Sequence, residues 1–315
     1  MHILIYSDDE TFLQKYQEQI TSCDKTIQLT VTHTPTPEQL NAVEVLLPMH
    51  NFSKLSLSAM PNLRWVHTMT AGVNGVVEKI KDTDIILTNS SGVHPIPISE
   101  QIFGYLLMFA RDMHTTQKNQ IKKVWDKKNL SVFELYGKTI SIIGLGRIGE
   151  KTAQLAKAFG MKVLAVRTHK IPAENVDEVY TLSELDTVLG LSDFVVNCLP
   201  GTDATHGLYT LEKFKHMKPT SYFINIGRGL SLNEADLVTA LQEKIIAGAG
   251  LDVFEIEPLP ATSPLWEMAN VILTPHSAGI TPEYMNRVIS IFCENLKAYV
   301  SQQPLPNEVD KEKGY

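Results

Sequence analysis

Gly144, Gly146 and Gly149 stand at GxGxxG spacing in "TISIIGLGRIGEKTAQLAKAFG", between an apolar β-branched run and an amphipathic stretch. Glycines so placed permit a tight turn, a close approach of bare backbone to phosphate oxygens, and helix packing on a strand, with the anion at the helix N-terminus. The motif alone is weak, because an incidental glycine turn also satisfies it. The strand before it, the helix after it and a second strand over Lys162 to Val166 make it a dinucleotide-binding signature, with Gly144, Leu145, Gly146, Arg147 and Ile148 as the loop.

An acid at the end of that second strand would bind the adenosine ribose hydroxyls and repel a phosphate placed there. Here "LAVRTHK" puts Arg167 at the position, followed by Thr168, His169 and Lys170. A guanidinium pairs bidentately with a 2′-phosphate, and Thr168 adds a hydroxyl donor. Taken alone, Arg167 would read as a solvated loop arginine. Its position after the glycine loop selects NADP(H) as the preferred cofactor and leaves NAD(H) possible.

These residues need an open parallel sheet to carry them. Runs at Thr139 to Ile143, Lys162 to Val166, Phe194 to Leu199, Tyr222 to Ile226, Ala247 to Val253 and Val271 to Leu273 predict six strands. Helical stretches over Ile148 to Phe159, Ser183 to Leu189 and Asn233 to Lys244 lie between them. The first hundred residues give a second α/β series at His2 to Tyr6, Gln28 to Thr32, Val43 to Leu47, Arg64 to His67 and Asp84 to Leu87. One long helix is expected over Ile96 to Gln120, capped by Ser99, and another over Thr281 to Val300 returning to the first domain. The expected architecture is two doubly wound parallel-sheet domains. Residues 101–280 form a Rossmann cofactor domain inserted in a flavodoxin-like substrate domain of residues 1–100 and 281–315.

Composition narrows the partners. A chain of 315 residues with 43% hydrophobic and 20% charged residues has the material for two folded cores. A net charge of -7 with no basic block argues against nucleic acid and against an anionic membrane surface. Cys23, Cys198 and Cys293 form no CxxC pair, which fits buried thiols in a reducing compartment and a cytoplasmic protein. "MHILIYSDDE" lacks the basic start of a signal peptide, and the apolar run Ile102 to Ala110 is far short of the ~20 residues that span a bilayer. The histidines form no ligand-spaced cluster, so no metal is expected.

From Glu134 onward the sequence resembles the D-isomer-specific 2-hydroxyacid dehydrogenases. The resemblance rests on "ELYGKTISIIGLGRIG", "FINIGRG", "GLDVFEIEPLP", "SPLW" and "NVILTPHSAGITPEY", and less densely on "TAGVNGV" and "TNSSGVHPIPISE". The "EPLP", "SPLW" and "TPH" run is similar to the glyoxylate and hydroxypyruvate reductase branch.

The resemblance implies a catalytic set of Arg228 in "GRG", Glu257 in "EP" and His276 in "PH". Arg228 would hold the carboxylate and polarise the keto oxygen, His276 would exchange the proton, and Glu257 would orient the imidazole and favour its charged form. Asp252 would bind the nicotinamide carboxamide, with Leu199, Pro200, Thr205, Ile226, Gly227 and Ala278 flanking the cofactor; Thr205 reads equally well as a helix cap. Ala71, Gly72 and Val73 would grip the substrate carboxylate through backbone amides, though "TAGVNG" also fits a plain turn into a helix. Met49, His50 and His94 are further pocket candidates, and Trp125 and Trp266 are structural or dimer-contact residues.

The implied activity is reduction of small 2-oxo acids to D-2-hydroxy acids by a homodimer that closes about a hinge. Two other readings stay open: an NAD-linked phosphoglycerate dehydrogenase, and a dinucleotide-sensing, corepressor-like binding protein.

Overall fold

Short aliphatic and β-branched runs become central strands buried on both faces, as parallel sheets covered by helices require. The computed structural model describes residues 1–7, 11–49 and 52–312. His50 therefore lies outside the described residues. The chain divides into two units, Met1–Val93 with Thr281–Tyr315, and His94–Ile280.

In the first unit, strands β1 (His2–Tyr6), β2 (Gln28–Thr32), β3 (Val45–Pro48), β4 (Trp65–His67) and β5 (Ile86–Thr88) form a five-stranded sheet in the order β2-β1-β3-β4-β5. Every neighbouring pair is parallel, and the order is that of flavodoxin-like sheets. Alternation splits the strand side chains between two cores. Ile3, Ile5 and Trp65 pack with Val288 and Phe292 of the helix Tyr284–Val300, while Leu4, Leu46 and Val66 face the other side.

In the second unit, β6 (Thr139–Ile143), β7 (Lys162–Val166), β8 (Glu178–Tyr180), β9 (Phe194–Asn197), β10 (Tyr222–Asn225), β11 (Gly248–Leu251) and β12 (Val271–Leu273) form a seven-stranded sheet ordered β12-β11-β10-β9-β6-β7-β8. All neighbours are again parallel. Chain order reverses between β6 and β9, which sets the crevice at their carboxyl ends where open α/β sheets bind ligands.

Several expectations need correction. The stretch expected as one helix over Ile96 to Gln120 is two, Pro95–Ala110 and Met113–Ile121, broken where Asp112 takes a left-handed φ of 51° and its carboxylate accepts the Ser131 amide at 2.9 Å. The first of these starts at the proline, because proline suits the opening turn. His94 is consequently the cap residue, and Ser99 is buried inside the helix. Strand β8 and the helix Leu211–Lys215 were not expected; at three and five residues, both are too short to show a period. No helix among the described residues is long and apolar enough to cross a membrane.

Candidate active site

The glycine loop leaves β6 and enters the helix Arg147–Ala158. Gly144 has φ of 102°, and a Cβ there would lie 3.0 Å from the Cys198 carbonyl carbon on the neighbouring β9 loop. Only glycine meets both demands. A Cβ on Gly149 would sit 2.6 Å from the Gly144 carbonyl oxygen, so this residue sets helix against strand. Gly146 has open space where its Cβ would be, and no side chain caps the helix it begins. The uncovered backbone at a helix N-terminus fits a pyrophosphate. Leu145 packs into the core and Ile148 against it, so the loop offers its backbone there rather than those side chains.

Arg167 follows the last residue of β7, its amide bonded to the Tyr180 carbonyl at 3.0 Å. Among the described residues its guanidinium has no partner. Thr168 beside it is exposed. Lys170 instead pairs with Glu184 at 2.9 Å and lies over the Tyr180 ring.

The ends of β10, β11 and β12 bring Arg228, Glu257 and His276 to one cavity of about 510 Å³, also lined by Thr205, His206, Phe254 and Glu255. His276 Nδ1 meets Glu257 Oε2 at 2.7 Å, and Glu257 Oε1 accepts the Phe254 amide at 3.0 Å. Burial, the largest influence on Glu257, works upward. It is outweighed by the His276 hydrogen bond, the Phe254 amide and the charges of His276 and Arg228, which together hold the carboxyl below its usual range. Arg228 is exposed at the rim and donates from Nη1 to the Gly227 carbonyl at 2.8 Å.

Asp252, only 2% exposed, builds the turn that carries His276. Its carbonyl accepts the His276 amide at 2.9 Å, and its two carboxylate oxygens accept the Ser277 and Ala278 amides at 2.9 and 3.0 Å. Thr205 uses its hydroxyl on its own turn, donating to the Pro200 carbonyl at 2.6 Å and accepting the Thr202 amide at 2.9 Å. Leu199 and Ile226 pack against the two cores, and Gly227 is buried at the base of the arginine turn.

Sequence reasoning missed the support beneath Arg228. Asn197 donates to Asn225 Oδ1 at 2.9 Å and to Ser231 Oγ at 2.8 Å, while Asn225 donates to the Arg228 carbonyl at 3.2 Å and Ser231 Oγ to the same oxygen at 2.7 Å. Asn197, Asn225 and Ser231 are at most 1% exposed. A buried amide network of this kind fixes one backbone geometry, because any lapse strands a polar group. The readable signal was an asparagine ending each of two apolar strands, in "FVVNC" and "FINIG".

In the first unit, Met49, Gly72 and Val73 help line a separate cavity of about 320 Å³. The carbonyls of Thr70, Ala71 and Gly72 are all tied to donors, whereas the amides of Ala71, Gly72 and Val73 meet no acceptor among the described residues. Successive free amides make an anion nest. His94 lies in the second unit against the Gly279 carbonyl at 3.3 Å. Trp125 is exposed, and Trp266 donates to the Pro260 carbonyl at 3.0 Å. Burial pushes the Cys198 thiol up to about 12, so it stays protonated. No three His, Cys, Asp or Glu side chains among the described residues could hold a metal ion together.

The NAD-binding domain of the D-isomer specific 2-hydroxyacid dehydrogenases matches residues 103–278. A glyoxylate reductase of Thermofilum pendens is 36% identical over 262 residues, covering 81% of this chain and 77% of that protein. A D-isomer specific 2-hydroxyacid dehydrogenase family protein from Aeromonas salmonicida superposes with a TM-score of 0.82 at 32% identity, over 98% of this chain and 99% of that one. An NADPH-dependent glyoxylate/hydroxypyruvate reductase from Sinorhizobium meliloti, solved with NADP and sulfate, gives 0.79 at 27% identity, over 100% and 99%. With its glycine loop at the sheet's switch point and its residues matching from 103 to 278, the chain belongs to the NAD(P)-dependent D-isomer-specific 2-hydroxyacid dehydrogenases.

Proposed function

We propose that the protein is an NADP-preferring reductase of small 2-oxo acids, with glyoxylate and hydroxypyruvate as its nearest substrates. The observation that carries the reading is the Glu257–His276 pair at 2.7 Å on the same cavity wall as Arg228. Held by the glycine loop and Arg167, the nicotinamide cofactor would supply a hydride for the carbonyl carbon. His276, held at Nδ1 by Glu257, presents Nε2 to donate a proton to the developing alkoxide, so one hydride and one proton yield the hydroxyl. Arg228 compensates the charge on carboxylate and keto oxygen. The amides of Ala71 to Val73 bind the carboxylate, and Asp252 orients the carboxamide while holding the His276 turn.

The guanidinium of Arg167, without a partner among the described residues, supports NADP(H), with NAD(H) as the weaker cofactor; the names of the Thermofilum and Sinorhizobium relatives support the substrate class. Free thiols at Cys23, Cys198 and Cys293 support a cytoplasmic location. The exposed Trp125, Ile121 and Tyr136 support a homodimer, which sedimentation velocity checks. The test of the function is NADPH oxidation against glyoxylate, hydroxypyruvate, pyruvate and branched or aromatic 2-oxo acids. Turnover with at least one is expected. Tight NADPH binding without turnover on any of them contradicts the reading.

A further inference from the structure

The outward amides of Ala71, Gly72 and Val73 owe their direction to what holds the carbonyls behind them. In a trans peptide the N–H points opposite to the preceding C=O. The Thr70 carbonyl accepts from the Ser90 amide at 3.2 Å and Thr68 Oγ1 at 3.0 Å, the Ala71 carbonyl from Asn89 Nδ2 at 3.0 Å, and the Gly72 carbonyl from Thr70 Oγ1 at 2.7 Å. With each carbonyl held by a donor, the amide that follows it is held pointing away from that donor.

Ser90 is in turn fixed by His67, a fully buried imidazole packed against the Trp65 and Phe292 rings. Burial pushes His67 down to about 3, so it is neutral and one ring nitrogen carries the proton. Counting hydrogens decides which. Ser90 Oγ spends its proton on the Thr68 carbonyl at 2.9 Å, so toward His67 Nε2, at 3.1 Å, it acts as acceptor. Nε2 is therefore protonated, and Nδ1 accepts from Thr88 Oγ1 at 2.7 Å, whose oxygen takes the Trp65 Nε1 proton at 2.8 Å. The bonds run in one direction from the Trp65 indole to the Thr68 carbonyl, and reversing any one of them strands a buried hydrogen.

We propose that His67 is a positioning residue for substrate binding, which through Ser90 sets the backbone whose amides receive the carboxylate of a 2-oxo acid. The inference rests on the reductase reading above. A histidine that merely filled the core would contribute stability without affecting substrate affinity, so the two roles separate by kinetics.

The experiment compares wild type, His67→Leu, His67→Gln, Ser90→Ala and Phe292→Leu in NADPH-linked reduction of the 2-oxo acid that wild type turns over best. Thermal unfolding is followed alongside. Loss of the buried link should raise KM for the oxo acid about ten-fold in His67→Leu and Ser90→Ala, with kcat and the NADPH Kd nearly unchanged. His67→Gln, whose amide can still donate to Ser90 Oγ, should restore most of the affinity. Phe292→Leu, which loses packing against the same ring, should lower Tm and leave KM alone. Wild-type KM in folded Ser90→Ala overturns the proposal, even where His67→Leu fails to fold. An equal KM rise in Phe292→Leu overturns it too. Absence of wild-type turnover on every 2-oxo acid defeats the reductase reading, and the proposal with it, and so differs from failure of the variants alone.

Discussion

His276 and Glu257 meet through Nδ1 and Oε2 at 2.7 Å, with the second carboxylate oxygen anchored to the Phe254 amide at 3.0 Å. The carboxyl is held below its usual range, so it is charged at neutral pH. The pair loses that charge only as pH falls through this lowered value. Reduction should therefore weaken on the acid side, as protonation of Glu257 releases the imidazole it orients. Glu257→Gln removes the charge that favours the imidazolium. Its kcat should drop about ten-fold or more, and the acid limb set by Glu257 should disappear from the rate profile. Wild-type kcat in the variant, or a retained acid limb, contradicts the pairing role.

The glycine loop separates binding from packing. Gly146→Ala adds a methyl into open space, so the variant should unfold like wild type while NADPH binds at least about ten-fold more weakly. Gly149→Ala forces a methyl to 2.6 Å from the Gly144 carbonyl oxygen and should lower Tm clearly. Paired thermal unfolding and NADPH titration check both, and equal behaviour of the two variants would count against the assigned roles.

Much of this site was legible in the sequence because its signals are local. The strand, GxGxxG turn and helix fall within one short stretch, and "GRG", "EP" and "PH" each sit in a distinctive context. What escaped was set by distant partners. Asn197 and Asn225 look like ordinary strand ends until β9 and β10 pair and bring their amides to 2.9 Å. His67 reads as one more strand residue until Thr88 and Ser90 arrive on its two nitrogens. The break at Asp112 likewise depends on Ser131, nineteen residues further on, rather than on any glycine or proline at the break.

Asn225→Ala should expose the importance of that hidden layer. Removing the side chain leaves Asn197 Nδ2 and the Gly227 amide each short of a partner, at a cost of about 1–3 kcal/mol per stranded group. Denaturant unfolding should show the loss, and kcat/KM should fall with it as the Arg228 turn loosens. Unchanged stability would mean the network relaxes around the gap.

Arg167→Asp should weaken NADPH much more than NADH, because the aspartate repels a 2′-phosphate and accepts ribose hydroxyls. Lys170, already committed to Glu184 at 2.9 Å, should compensate poorly. Titrations with both cofactors decide this, and equal affinities before and after the change would make Arg167 a surface charge only.

The most direct test of the catalytic assignment is single-turnover oxidation of bound NADPH by a 2-oxo acid in His276→Ala. The substitution should leave the NADPH Kd close to wild type and slow the turnover by about 10² to 10⁴. Turnover at the wild-type rate would remove His276 as the proton donor and contradict the mechanism.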